Sequence, residues 1–151
     1  MTLEEYENKR DFNISPEPKG GIRSGAKKGS IFVIHEHHAK RLHWDLRLEI
    51  GGVLKSWAVP KDPIDVNYGI RRLAIQVEDH PIGYATFEGI IPKNVYGAGT
   101  VKIYDSGEFI LEEEKDNKLL FELKGKKMSG IYVLIRTPNL GKNSWLFLKT
   151  K

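Results

Sequence analysis

The sequence predicts an all-β protein: a closed antiparallel β-barrel of about eight strands, with an N-terminal arm and little helix. Three observations carry this reading. From Phe32 to the C-terminus, short segments of alternating apolar and polar residues recur, each stopped by Gly, Pro or a polar turn. Sustained helical periodicity is missing, and strands do not alternate with helices. So many strands with so few covering helices leave edges, which closure into a barrel removes.

Residues 1–30 contain PEPKG, GGIRSG and KKGS and read as an arm, with EEYENKR as a short helix. Residues 31–151 form the barrel of a single-domain protein. Phe32 to His37 is extended. RLHWDLRLEI alternates strictly, and Gly51–Gly52 offers a turn into VLKSWAV, which stops at Pro60. RRLAIQVED stops at Pro81. TVKIYD follows Gly97 and Gly99, and Ser106–Gly107 suggests a hairpin into EFILEEE. LLFELKG, GIYVLIRT and SWLFLKT complete the set.

The composition is 40% hydrophobic and 29% charged, a globular balance rather than a disordered one. No run approaches the roughly 18 apolar residues of a membrane span, so no membrane partner is expected. The opening MTLEEYENKRD lacks the basic and apolar regions of a secretory signal, which favours the cytoplasm. Without cysteine there is no disulfide framework and no thiolate metal site. Lys plus Arg number 24 against 20 Asp plus Glu. That excess points to nucleic acid only if the cations converge on one surface.

Arg41 to Ile50 carries the most chemistry. Strand side chains point alternately to opposite faces. Leu42, Trp44, Leu46, Leu48 and Ile50 make an apolar face. Arg41, His43, Asp45, Arg47 and Glu49 make a wholly ionisable one, spaced about 6.6 Å apart. His35, His37, His38 and His43 lie close together in the chain, and only His80 lies elsewhere. Imidazole and carboxylate suit Mn²⁺, Zn²⁺, Fe²⁺, Co²⁺ or Ni²⁺. His43 and Asp45 share a face, and Phe32–His37, bent back beside them, supplies His37. Such a set leaves positions open for water and a phosphate oxygen. His38 has the opposite parity and reads as a surface or packing residue.

Phosphate chemistry also needs cations. Arg47 follows Asp45 on the polar face, Lys61 follows Pro60, and Arg71 and Arg72 open the next strand. There Arg72, Gln76, Glu78 and His80 share parity, so a second polar face is expected. Trp44 and Trp57 read as packing residues, and Gly97 and Gly99 as turn or close-approach positions.

The stretch FVIHEHHAKRLHWDLRLEIGGVLKSWAVPKDP resembles the signature of the 3′-phosphoesterase domain of bacterial DNA ligase D and its free-standing archaeal relatives. RDFNISPEPKG, RRLAIQVEDHPIGYATFEG, IPKNVYGAGTVKIYDSG and GKNSWLFLK are similar too, so the resemblance runs from Arg10 to the C-terminus. It implies a β-barrel enzyme that heals 3′ ends, removing a terminal 3′ ribonucleoside and then hydrolysing the 3′-phosphate to a 3′-hydroxyl. Mn²⁺ is the implied metal, with Co²⁺ or Zn²⁺ as alternatives, and His37, His43 and Asp45 are its implied ligands. The catalytic set it implies is His80, Arg47, Arg72, Lys61, Glu78 and Tyr84. Arg10, Asp11, Glu17, His35 and Glu49, with Arg47 and His80, are implied to contact substrate or phosphate. His35 stands where the bacterial pattern has glutamine; an imidazole can hydrogen-bond like the amide, but it can also titrate or bind metal.

The expected partners are 3′ ends of DNA or RNA, especially a primer–template with a terminal ribonucleotide or phosphate, and a DNA ligase and primase in end repair. A monomer or weak homodimer is expected. Arg10, Lys19, Arg23, Lys27 and Lys28 of the arm are placed across the cleft. From residue chemistry alone, two other readings stand beside a phosphoesterase: a nucleic-acid-binding barrel without catalysis, and a small-molecule metalloenzyme such as an iron dioxygenase.

Overall fold

The computed structural model describes residues 2–9, 17, 30–66 and 69–150. Arg10, Asp11 and the arm cations Lys19, Arg23, Lys27 and Lys28 lie outside the described residues. A six-residue helix, α1 (Leu3–Asn8), is capped by the Thr2 hydroxyl, which accepts from the Glu5 amide at 3.1 Å. Nine strands follow: β1 (Ile31–His38), β2 (Leu42–Ile50), β3 (Val53–Val59), β4 (Arg71–His80), β5 (Gly89–Ile91), β6 (Gly99–Lys115), β7 (Lys118–Gly125), β8 (Ser129–Arg136) and β9 (Ser144–Lys149). No helix of the described residues is long and apolar enough to cross a membrane.

The fold is mostly β, as the alternation predicts, but the expected closed barrel of about eight strands is corrected. The strands form one nine-stranded sheet in the order β1-β2-β3-β4-β9-β8-β7-β6-β5, with a further β1–β6 pairing. Two long strands exchange neighbours along their length. On β4, Arg71–Ile75 pair with β9, whereas Ile75–His80 pair with β3. On β6, Thr100–Glu108 pair with β1 and Gly107–Lys115 with β7, while Gly99–Val101 also carry the short β5. β3 and β9 therefore overlap only at Ile75 on β4, and β1 and β7 only at Gly107–Glu108 on β6, unlike a uniform cylinder of evenly paired strands.

β6 overturns a second expectation. Ser106–Gly107 is not a hairpin turn but the middle of a 17-residue strand. A Cβ on Gly107 would stand 2.1 Å from the Lys124 carbonyl oxygen, so the glycine is there for close strand approach. Gly51 and Gly52, by contrast, do form the predicted turn, with φ of 65° and 81°.

The main core gathers Phe32, Ile34, Trp44, Leu46, Leu48, Trp57, Phe121, Trp145 and Phe147 with their neighbours. Trp44 and Trp57 are packing residues, as expected. A second cluster forms on the other side of β1–β4: Tyr6 of α1, Val33, Leu54, Tyr84 and Ala85, the last two on a 3-10 turn at Ile82–Thr86. This cover explains why the polar face of β2 is not solvated. Asp45, Arg47 and Glu49 are buried along with the apolar residues that alternate with them.

The expected second polar face of β4 is also corrected. Ser56 pairs with Val77 and Leu54 with His80, so two steps on β3 match three on β4. This bulge turns His80 to the side of Val77 and Leu54. Gln76, paired with Trp57, keeps the parity of core Ala74 and of Arg72.

Candidate metal centre

β1 and β2 are antiparallel neighbours, with His37 directly opposite His43 and His35 opposite Asp45. Their shared face therefore collects His37, His43 and Asp45, and one ligand atom from each falls within 4.8 Å of the others. Asp45 Oδ2 lies 3.7 Å from His37 Nδ1 and 3.3 Å from His43 Nε2. The remaining ring nitrogens face carbonyls, which only accept. His37 Nε2 donates to Gly97 O at 2.7 Å, and His43 Nδ1 donates to Arg41 O at 3.1 Å. A neutral ring at either position thus carries its proton on the carbonyl side and turns a lone pair to the carboxylate, as a metal-binding histidine does, whereas a protonated ring donates to Asp45.

Such a cluster attracts a cation. Burial opposes the charge on His43, but the hydrogen bond and charge of Asp45 outweigh it and raise the imidazole above its usual pKa. Burial also opposes ionisation of Asp45. The Arg47 charge and hydrogen bonds from His37 and His43 override it and hold the carboxyl well below the usual range. A proton on His43 and a divalent ion compete for the same electron pairs. The donor set fits a divalent metal of the kind that takes imidazole and carboxylate together.

Arg47 organises the adjoining wall. It is buried, and its Nε donates to His35 Nδ1 at 3.0 Å, Nη1 to Ser56 Oγ at 3.0 Å, and Nη2 to Asp45 Oδ2 at 3.3 Å. Its guanidinium carbon also lies 4.8 Å from the centre of the Tyr84 ring. His35 Nε2 donates to Phe87 O at 3.0 Å, so both its nitrogens are committed, and it is not among the clustered ligands. Burial, reinforced by Arg47, pushes its pKa down to about 3 and keeps it neutral. Here the imidazole serves as a hydrogen-bonding strut.

His80 closes the opposite wall. Its Nδ1 donates to Glu78 O at 2.9 Å and stands 3.4 Å from Ser56 Oγ, while its ring packs on Tyr6 at 4.8 Å and Tyr84 at 4.6 Å. The Tyr84 hydroxyl donates to buried Glu17 at 2.8 Å. Lys9, just after α1, reaches Glu78 at 3.1 Å and the Tyr96 hydroxyl at 3.3 Å. A cavity of about 230 Å³ joins the walls, lined by His37, His43, Asp45, Arg47, His80, Tyr84, Glu78, Glu17 and Tyr96 among others.

Most of the described residues singled out in the sequence thus meet at one cavity, but several do not line it, among them His35, which reaches the site through Arg47. Glu49 accepts from the Ile31 amide at 3.0 Å and does not line the cavity. His38 is exposed and paired with Glu36, as its parity predicts. Lys61 and Arg72 line a separate groove of about 250 Å³ with Pro60, Arg71 and Leu73. Sequence reasoning missed Ser56, Tyr6, Lys9 and Tyr96. Ser56 has a faint signal: it is the polar residue on the face of VLKSWAV that also bears Leu54 and Ala58.

Comparison with known proteins adds an independent finding. Residues 35–136 match the family model described as the DNA ligase D 3′-phosphoesterase domain. The chain is 46% identical to the multifunctional non-homologous end joining protein LigD of Pseudomonas aeruginosa, over 99% of this chain and 18% of that protein. It is 48% identical to the Mycobacterium tuberculosis LigD described as a multifunctional non-homologous end joining DNA repair protein, and 44% identical to the Mycolicibacterium smegmatis LigD. Each of these matches covers 99% of this chain and 20% of the relative. The chain therefore spans about a fifth of the length of these relatives.

Proposed function

Because the chain belongs to the DNA ligase D 3′-phosphoesterase domain family, we propose that it is a metal-dependent hydrolase that heals 3′ ends of DNA or RNA primer strands. It removes a terminal ribonucleoside as a phosphodiesterase and a terminal phosphate as a phosphomonoesterase, leaving a 3′-hydroxyl. The observation that carries this reading is Arg47, a buried cation that joins the His37, His43 and Asp45 cluster to the Ser56–His80 wall of the same cavity.

His37, His43 and Asp45 would hold the ion, with Mn²⁺ the favoured one. When bound, it supplies a Lewis acid for a phosphoryl oxygen and lowers the pKa of water. Three of the five N–H groups of Arg47 are committed to His35, Ser56 and Asp45, which leaves donors for an anionic substrate. That placement stabilises charge developing on phosphorus. His80, its Nδ1 held by the Glu78 carbonyl and its ring on the wall of the cavity, would hold phosphate or pass a proton to the leaving oxygen. Tyr84 and Glu17 brace that wall. Lys61 and Arg72, in their own groove, contact substrate away from the ion.

A binding-only protein leaves the converging lone pairs without a purpose. A small-molecule oxygenase does not need a buried guanidinium beside its ligand set. The names of the relatives describe end joining and DNA repair, so a ligase and a primase are the proposed partners in the same repair. The test is a 5′-labelled primer–template ending in one ribonucleotide, incubated with Mn²⁺, with EDTA, and with His43→Ala. The expected products are a 3′-phosphate and then a 3′-hydroxyl, with metal and wild type only. Attack on a 3′-phosphate primer alone would reduce the activity to a phosphomonoesterase. No product from either would overturn the catalytic reading.

A further inference from the structure

The cavity at the metal centre is walled on one side by Tyr84 and His80, which pack on buried Tyr6. Towards Ala39 and Gly97 it continues. These two residues also line a second, more open groove of about 590 Å³, whose walls carry Lys40 on the β1–β2 turn and Lys93 and Asn94 on the β5–β6 loop. The Lys61 and Arg72 groove shares no lining residue with the cavity. The Ala39–Gly97 rim thus joins the ligands to a groove that a strand ending at them can follow.

The walls of this groove are braced. A Cβ on Gly99 would stand 2.2 Å from the His38 carbonyl oxygen, so the β5–β6 loop is pressed onto the β1–β2 turn. The loop is folded by Val95 N donating to Pro92 O and Ala98 N to Val95 O, and Gly97 O is tied to His37. Asn94 takes the left-handed conformation, with φ of 67°. Lys40 and Lys93 are both exposed, and neither forms an ion pair with a described residue. A pre-formed groove leading from a phosphoryl site, with one unpaired cation on each wall, suits a polyanionic strand.

We propose that this groove is a subsite for the sugar–phosphate backbone of the strand just upstream of its 3′ end, with Lys40 and Lys93 each contacting a phosphate. The subsite rests on the 3′-end reading above, and it reads no base. Its cations lie outside the catalytic cluster, so their loss weakens binding and spares the chemical step.

The test separates binding from turnover. Wild type, Lys40→Ala/Lys93→Ala and a control, Lys142→Ala in the β8–β9 connection, are titrated with a fluorescent 3′-phosphate primer–template by anisotropy in EDTA. Turnover of the same substrate is then followed with Mn²⁺. The double variant is expected to bind about tenfold more weakly, and its log–log salt dependence to become shallower by about 1.4–1.8, the share of two phosphate contacts. KM rises to match, kcat at saturation is unchanged, and Lys142→Ala behaves as wild type. Binding and salt slope unchanged in the double variant, or an equal loss in Lys142→Ala, would overturn the subsite. Absence of turnover in wild type would instead overturn the 3′-end reading, and the binding arm would still judge the groove.

Discussion

Arg47 donates through Nη2 to Asp45 Oδ2 at 3.3 Å, two residues along one face of β2, and both side chains are buried. The pair links scaffold and chemistry: the same carboxylate faces His37 and His43, and the same guanidinium faces His35 and Ser56. Removing Arg47 leaves Asp45 as an uncompensated buried charge. Arg47→Ala is expected to cost about 3–5 kcal/mol of stability, read as a shift of the urea midpoint. Arg47→Lys keeps a charge but not the fork, so it is expected to retain more stability than activity.

His80 is held by its neighbours but supports little of the main core. His80→Ala is expected to lower turnover by about 10²–10⁴-fold, with a loss of no more than about 1–3 kcal/mol in denaturant unfolding. Comparable losses in rate and folding equilibrium would make His80 a structural residue.

Asp79 is a buried carboxyl whose Oδ1 has no hydrogen-bond partner among the described residues. Burial, with Glu5 and Glu78 nearby and against the attraction of Lys55, raises its pKa above the usual value. The folded chain therefore keeps this proton longer than the unfolded chain. The stability it contributes is present at low pH and lost as pH rises from about 3.8 through the raised value. Asp79→Asn is expected to raise the melting temperature by a few degrees at pH 7, a gain that fades below about pH 4.

Position 107, in the middle of β6, tolerates no side chain. Gly107→Ala would drive a methyl group into the Lys124 carbonyl, and a loss of about 1–3 kcal/mol or more is expected by thermal unfolding. If Ser106–Gly107 were the turn its composition suggests, the substitution would be nearly neutral.

These cases show what was legible in the sequence. Strict alternation in Leu42–Ile50 placed His43, Asp45 and Arg47 on one face, because period two is a direct consequence of strand geometry. The partner strand bearing His37 was legible for the same reason. Gly107 misled because a glycine for close strand approach and one for a turn look identical in sequence. The β4 bulge that turns His80 away from Gln76 leaves no compositional trace, since one extra residue changes parity and nothing else. Tyr6 lies in, and Lys9 just after, a six-residue helix whose docking on His80 and Glu78 is decided by tertiary contacts. Lys61 and Arg72 carried the right charge for a phosphate site, but Lys61 lies beyond the end of β3 and Arg72 has the parity of core Ala74, and both line another groove.

The central claim is that His37, His43 and Asp45 form one metal site on which the chemistry depends. Calorimetric titration of the metal-free protein with Mn²⁺ tests it most directly, with wild type beside His43→Ala. One site per chain in the wild type, lost or greatly weakened in the variant while its thermal unfolding remains cooperative, is the result the geometry predicts. Unchanged Mn²⁺ binding in His43→Ala would contradict it.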